Sequence, residues 1–183
     1  REFNGIHGLW TGDVDADGLA DLVTLELRAV VLYSISSGAP RELWRETIKG
    51  FQYVSLDIFD ADADGKPEIF VGQKLGNSAR TDVYRHSVGR VSKLGEIKGV
   101  FVRQNGNALF AQKYGFAKPF AGPIMEIKYD PQNNSVTKIR DVLAGPANVL
   151  GTGIGQNRMA YLDFNDRLTI TDRTGLSIWR GTT

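Results

Sequence analysis

Two nine-residue segments of this chain repeat one acidic pattern, DVDADGLAD at 13–21 and DADADGKPE at 60–68. Each has a carboxylate at its first, third, fifth and ninth positions and a glycine at its sixth, and Asp60 follows Asp13 by 47 residues. The flanks repeat as well. LWTGDV and SLDIFD lead in, while LADLVTL and KPEIFVG lead out. A pattern that recurs at a fixed offset with its surroundings marks a structural unit used more than once.

The residues around these segments read as strands. DLVTLEL, AVVLYSI, ELWRETI, EIFVGQK, TDVYRHS and VSKLGEIK are short runs of aliphatic, aromatic and threonine residues broken by Gly, Asn and Ser. The same rhythm continues without the acidic segment through GVFVRQNG, NALFAQKYG, GPIMEIKYD and VTKIRDV, with PQNNS as a hairpin turn. It ends in ANVLGTGIG, RMAYLDFN, DRLTITDRTG and LSIWRG. The chain divides into four units, about 5–49, 50–98, 99–144 and 145–181, each with about four short strands. Units of this size predict an all-β fold, a β-propeller made of four-stranded antiparallel blades. One small sheet cannot bury both faces, so such units must stack on one another. A sandwich also suits many short strands but leaves a loop repeated at constant offset unexplained. The expectation is a single propeller domain over 1–183, or a propeller fragment whose ring is completed by further blades, a second chain or self-association.

Composition narrows the function. With 22 Lys and Arg against 21 Asp and Glu the net charge is +1, which gives no electrostatic footprint for nucleic acid. The absence of cysteine removes disulfides, thiolate chemistry and iron–sulfur clusters. No apolar run approaches the roughly 18 residues of a membrane-spanning helix. Two histidines, His7 and His86, fall in different units with no evident partner, and read as packed or exposed side chains.

The chemistry therefore concentrates in the acidic segments. Alternating carboxylates on a tightly turning backbone converge on one point, with Gly18 or Gly65 allowing the positive-φ bend and the carbonyl of Leu19 or Lys66 adding an oxygen. Unneutralised, such carboxylates repel by up to roughly 4 kcal/mol per pair at an effective dielectric near 20. A hard cation taking six to eight oxygens suits them, and calcium fits better than zinc or copper. The EF-hand is excluded by its twelfth position, which needs a bidentate glutamate and here holds Thr24 or Val71, and by flanks that read as strands.

The pattern DxDxDGxx(D/E) between two strands resembles the FG-GAP/VCBS repeats of integrin-α-like propellers, most nearly those of bacterial extracytoplasmic proteins. The resemblance implies two calcium sites, one held by Asp13, Asp15, Asp17, Asp21 and the Leu19 backbone. The other would be held by Asp60, Asp62, Asp64, Glu68 and the Lys66 backbone. It also implies an extracytoplasmic location and more than four blades in a complete ring. The third and fourth units carry QNGN at 104–107 and QNR at 156–158 in the equivalent places, which cannot hold calcium.

Other features read as structural. GTGIG at 151–155 lacks a P-loop lysine and reads as a glycine-rich strand or turn. Trp10, Trp44 and Trp179 read as packing residues, Asp163 and Asp166 as turn residues, and Arg80, Arg85, Arg90 and Arg103 as a dispersed solvated surface. With the acidic clusters used by the loops, the expected function is a non-enzymatic, calcium-stabilised module binding a protein or glycan. The alternative is part of a propeller-type carbohydrate-active enzyme, a lyase or glycosidase, which would need two carboxylates about 5–10 Å apart in a cleft.

Overall fold

Short β-branched and aromatic runs punctuated by turn residues fold here into strands alone. The computed structural model describes residues 5–47, 50–87, 89–105, 107–113, 124–143, 147–152, 158–163, 167–172 and 177–181. Among them there is no helix, and so none long and apolar enough to cross a membrane.

Four antiparallel four-stranded sheets follow one another along the chain, each with its strands in sequence order. The first holds β1 (Ile6–Gly12), β2 (Asp21–Glu26), β3 (Ala29–Ser34) and β4 (Arg41–Thr47). The second holds β5 (Gln52–Phe59), β6 (Glu68–Leu75), β7 (Ser78–Ser87) and β8 (Arg90–Lys98). The third holds β9 (Val100–Asn105), β10 (Ala108–Lys113), β11 (Ile124–Asp130) and β12 (Ser135–Leu143). The fourth holds β13 (Ala147–Thr152), β14 (Arg158–Asp163), β15 (Leu168–Asp172) and β16 (Ser177–Arg180). The expected four-stranded antiparallel blade is the unit of the fold.

Blades stack through their faces. β1 lies against β5 and β5 against β9, whereas the fourth strands β4 and β8 barely meet, so the first strands are innermost. The core lies between blades. Val23, Val30 and Leu32 of the first blade pack with Tyr53, Ile69, Val71 and Tyr84 of the second. Phe70 and Val83, from the opposite face of that second blade, pack with Val100, Val102, Leu109 and Tyr129 of the third. Alternation along β6 therefore sends Ile69 and Val71 to one neighbour and Phe70 to the other. Both faces are covered, and the strand reads as an unbroken apolar run. Gly72 continues this strand where a Cβ would meet Ser55 Oγ and come within 2.7 Å of Phe101 Cδ1, so the absent side chain lets β9 approach.

The packing of the tryptophans divides. Trp10 and Trp44 lean on the core between the first two blades, Trp44 with its ring 5.1 Å from that of Tyr84. Trp179 on β16 is half exposed and does not fill the packing role expected of it.

Candidate functional site

The two acidic segments are the connections from β1 to β2 and from β5 to β6, and they share one backbone. The fourth residue of each is an alanine in the left-handed region, Ala16 at φ 61° and Ala63 at φ 60°, followed two residues on by Gly18 at 86° and Gly65 at 83°. An alanine there costs roughly 1–2 kcal/mol. Carboxylates accepting backbone N–H bonds hold the turn: Asp13 accepts from Asp17 at 3.1 Å and Gly18 at 2.9 Å, and Asp60 from Asp64 at 3.1 Å and Gly65 at 2.8 Å. The ninth-position acids, Asp21 and Glu68, open the next strand and reach back to the N–H of Val14 at 3.0 Å and of Ala61 at 2.9 Å.

In the first loop, carboxylate oxygens of Asp13, Asp15 and Asp21 lie within 4.8 Å of one another. Asp17 stays outside that group and accepts the N–H of Leu19 at 2.8 Å. Burial raises the pKa of Asp21, opposed by the Val14 N–H and reinforced by the charges of Asp15 and Asp17. Among the described residues, no cationic side chain pairs with Asp13, Asp15, Asp17 or Asp21.

The second loop gathers Asp60, Asp62 and Glu68 in the same way, but a guanidinium stands among its acids. Arg85 on β7 contacts Glu68 through Nε at 2.6 Å and again through Nη2. It also reaches Asp62 Oδ1 at 3.2 Å and Asp64 Oδ2 at 3.1 Å. Glu68 is fully buried, which raises its pKa against the Ala61 N–H and Arg85. Burial would lower the pKa of Arg85, but Glu68 and Asp62 hold it above its ordinary value.

A third constellation was missed in the sequence. Asp57 on β5 and Arg103 on β9 face each other across the seam between the second and third blades, on the innermost strands. Arg103 Nε stands 3.2 Å from Asp57 Oδ2 as an ion pair, out of line for a hydrogen bond. Burial pushes the pKa of Asp57 up to about 6, eased by Arg103 and the Gln104 N–H. A cleft of about 260 Å³ opens nearby, between Phe59 and Ala61 on one side and Glu126, Lys128 and Tyr129 on the other; Asp57 does not line it.

Three of the four arginines expected on a dispersed surface are thus internal partners. Arg80 reaches the buried Asp82 at 3.1 Å and lies over the Phe51 ring at 4.6 Å. Arg85 and Arg103 act as described, and Arg90 is exposed. His7 is exposed and His86 is buried on β7. Residues 153–157 of the GTGIG and QNR segments, Asp166 and the side chain of Asp163 lie outside the described residues.

No protein-family model and no curated protein matches the sequence. Solved structures do match. A Lactobacillus plantarum protein aligns at TM-score 0.60 and 14% identity over 95% of this chain and 55% of its own. A candidate 6-phosphogluconolactonase from Bacteroides fragilis aligns at 0.59 and 16% over 94% and 52%. Saccharomyces cerevisiae Sqt1 aligns at 0.54 and 12% over 98% and 51%. This is a β-propeller architecture. The chain spans about half the length of these structures.

Two expectations are corrected. The FG-GAP/VCBS resemblance fails: no family model matches, and the neighbours are lactonase-type and Sqt1 propellers. The acidic turn is a local device that many strand-to-strand connections can accommodate, and the four-stranded blade is common to propellers generally. The extracytoplasmic location loses the support that the resemblance gave it. The non-enzymatic scaffold reading is overturned too, since the neighbours include two proteins named as candidate 6-phosphogluconolactonases. That reading took the clustered acids to be used by the loops, and Asp57 lies outside them.

Proposed function

We propose that this chain supplies blades of a hydrolytic propeller acting on a sugar-derived lactone, with Asp57 handling the proton and Arg103 the negative charge. The observation that carries this is the ion pair on the inner strands. Asp57 has a pKa of about 6 and an Oδ2 with no aligned hydrogen-bond donor among the described residues. Such a carboxylate is ionised at neutral pH yet is a stronger base than an ordinary aspartate. As water adds to the lactone carbonyl, Asp57 takes its proton; the ring C–O bond then breaks and the proton passes to the leaving alkoxide. The product is the open-chain hydroxy acid. The Arg103 fork is suited to the oxyanion or to a phosphate on the sugar. Two matching structures named as candidate 6-phosphogluconolactonases support the substrate class.

The test is hydrolysis of 6-phosphogluconolactone and of unphosphorylated gluconolactone by the full-length protein. Asp57→Asn should lower kcat about 10²–10⁴-fold, the usual weight of a positioned base. Arg103→Gln should weaken turnover of the phosphorylated lactone more than of the other. Unchanged kcat in Asp57→Asn refutes the assignment.

We also infer that the first acidic loop takes one calcium ion. The converging oxygens of Asp13, Asp15 and Asp21, without a paired cation among the described residues, fit a hard cation. Asp17 and the Leu19 carbonyl complete the candidate ligand set. The ion would serve the loop's stability.

A further inference from the structure

We propose that Arg85 takes the place of a metal ion in the second acidic loop, so that this chain has one cation site where its sequence repeats two. The inference rests on the cation reading of the first loop only for the total, not for the role of Arg85.

The two loops share one backbone and differ in what faces their ninth-position acids, Asp21 and Glu68. Their alanine and glycine dihedrals agree, and their first-position carboxylates accept from the same two backbone N–H groups. Their ninth-position acids open the following strand at the same register. The third strand decides the difference. Asp21 stands opposite Ser34, and Glu68 stands opposite Arg85. Ser34 is short, buried and engaged with Ser36 Oγ at 3.0 Å, so it brings no charge to the first loop.

Arg85 does enter the second. Its planar fork divides between Asp62, Asp64 and Glu68, three of the four acids that a calcium ion would need there. The third-position acids record the consequence. Asp15 accepts the Asp17 N–H at 3.1 Å, while its counterpart Asp62 is turned to the guanidinium. A fork of this shape matches carboxylates in a fixed plane and remains charged at any pH of interest. A divalent cation arriving here would have to expel Arg85 from contact with the fully buried Glu68, or sit beside a like charge.

Ion stoichiometry tests the idea. Equilibrium dialysis against calcium, on the full-length protein, should show one more bound ion in Arg85→Ser than in the wild type. Adding Asp60→Asn to Arg85→Ser should remove the extra ion. In the wild-type background, the double change Asp60→Asn and Asp62→Asn should leave the count unaltered, an arm that does not depend on the stability of Arg85→Ser. The converse graft, Ser34→Arg, should cost the first loop its ion. An equal count in wild type and Arg85→Ser overturns the proposal, as does loss of an ion from the wild type on changing Asp60 and Asp62. A wild-type count of zero would instead defeat the first-loop reading, with the increment in Arg85→Ser still deciding the role of Arg85.

Discussion

Glu68 and Arg85 stand directly opposite one another on β6 and β7, while the same two positions of the first blade hold Asp21 and Ser34. The paired strands have the same register in both blades, so the third-strand residue, Ser34 or Arg85, decides whether a cationic side chain faces the ninth-position acid.

Calcium should accordingly stabilise the protein through one loop. At the affinities of about 10⁻⁴–10⁻³ M seen in extracellular modules, 1 mM calcium adds roughly 0.4–1.4 kcal/mol for one site. For a chain of this length that is about 1–5 °C in Tm. Thermal melts with and without EDTA should show the shift in the wild type and in Asp60→Asn, and none in Asp13→Asn.

Asp57 gives a pH dependence of defined sign. Its pKa rises from 3.8 to about 6 on folding, so the native state binds this proton more tightly than the unfolded chain. The stabilisation is fully present below about pH 3.8 and is lost as pH rises through about 6. Urea unfolding from pH 4 to 7 should show the wild type losing roughly 2 kcal/mol relative to Asp57→Asn across that window. A constant difference between the two would exclude the shift.

Ala63→Gly should stabilise the fold by up to about 1 kcal/mol, because glycine takes the left-handed conformation without the Cβ clash. Ala61, in the same loop but outside that region, provides the control: Ala61→Gly should lower stability. Chemical denaturation at fixed calcium reads both.

Gly72→Ala should destabilise by about 1–3 kcal/mol, since the added methyl meets Ser55 and Phe101 at the seam between the second and third blades. Phe101→Leu in the same chain should recover part of the loss. Additive losses in the double variant would show that the two positions do not press on each other.

What the sequence disclosed follows the range of the forces involved. The acidic turns and the strands are local, dictated by residues within a few positions of one another, and they fall where DxDxDG and the apolar runs place them. Arg85 was legible in principle. The two-residue turn Gly76–Asn77 joins β6 to β7 with Leu75 opposite Ser78, and counting back from there sets Glu68 against Arg85. Asp57 and Arg103 offer no such thread. They belong to separate sheets, and their meeting depends on how two blades nest, which is decided by Phe70, Val102 and Tyr129 far along the chain. The only sign was an acid inside the strand-like SLDIF.

The seam where Asp57 meets Arg103 also limits how far the repeat can be exact. The residue of the first blade that corresponds to Asp57 is Trp10, paired with Val23 as Asp57 is with Phe70. The acidic turn can recur unchanged from blade to blade, but a residue at a seam answers to the neighbouring blade as well as to its own. An acid facing a base across two blades requires blades that differ in sequence at the seam. The turns follow the repeat, and the seam departs from it.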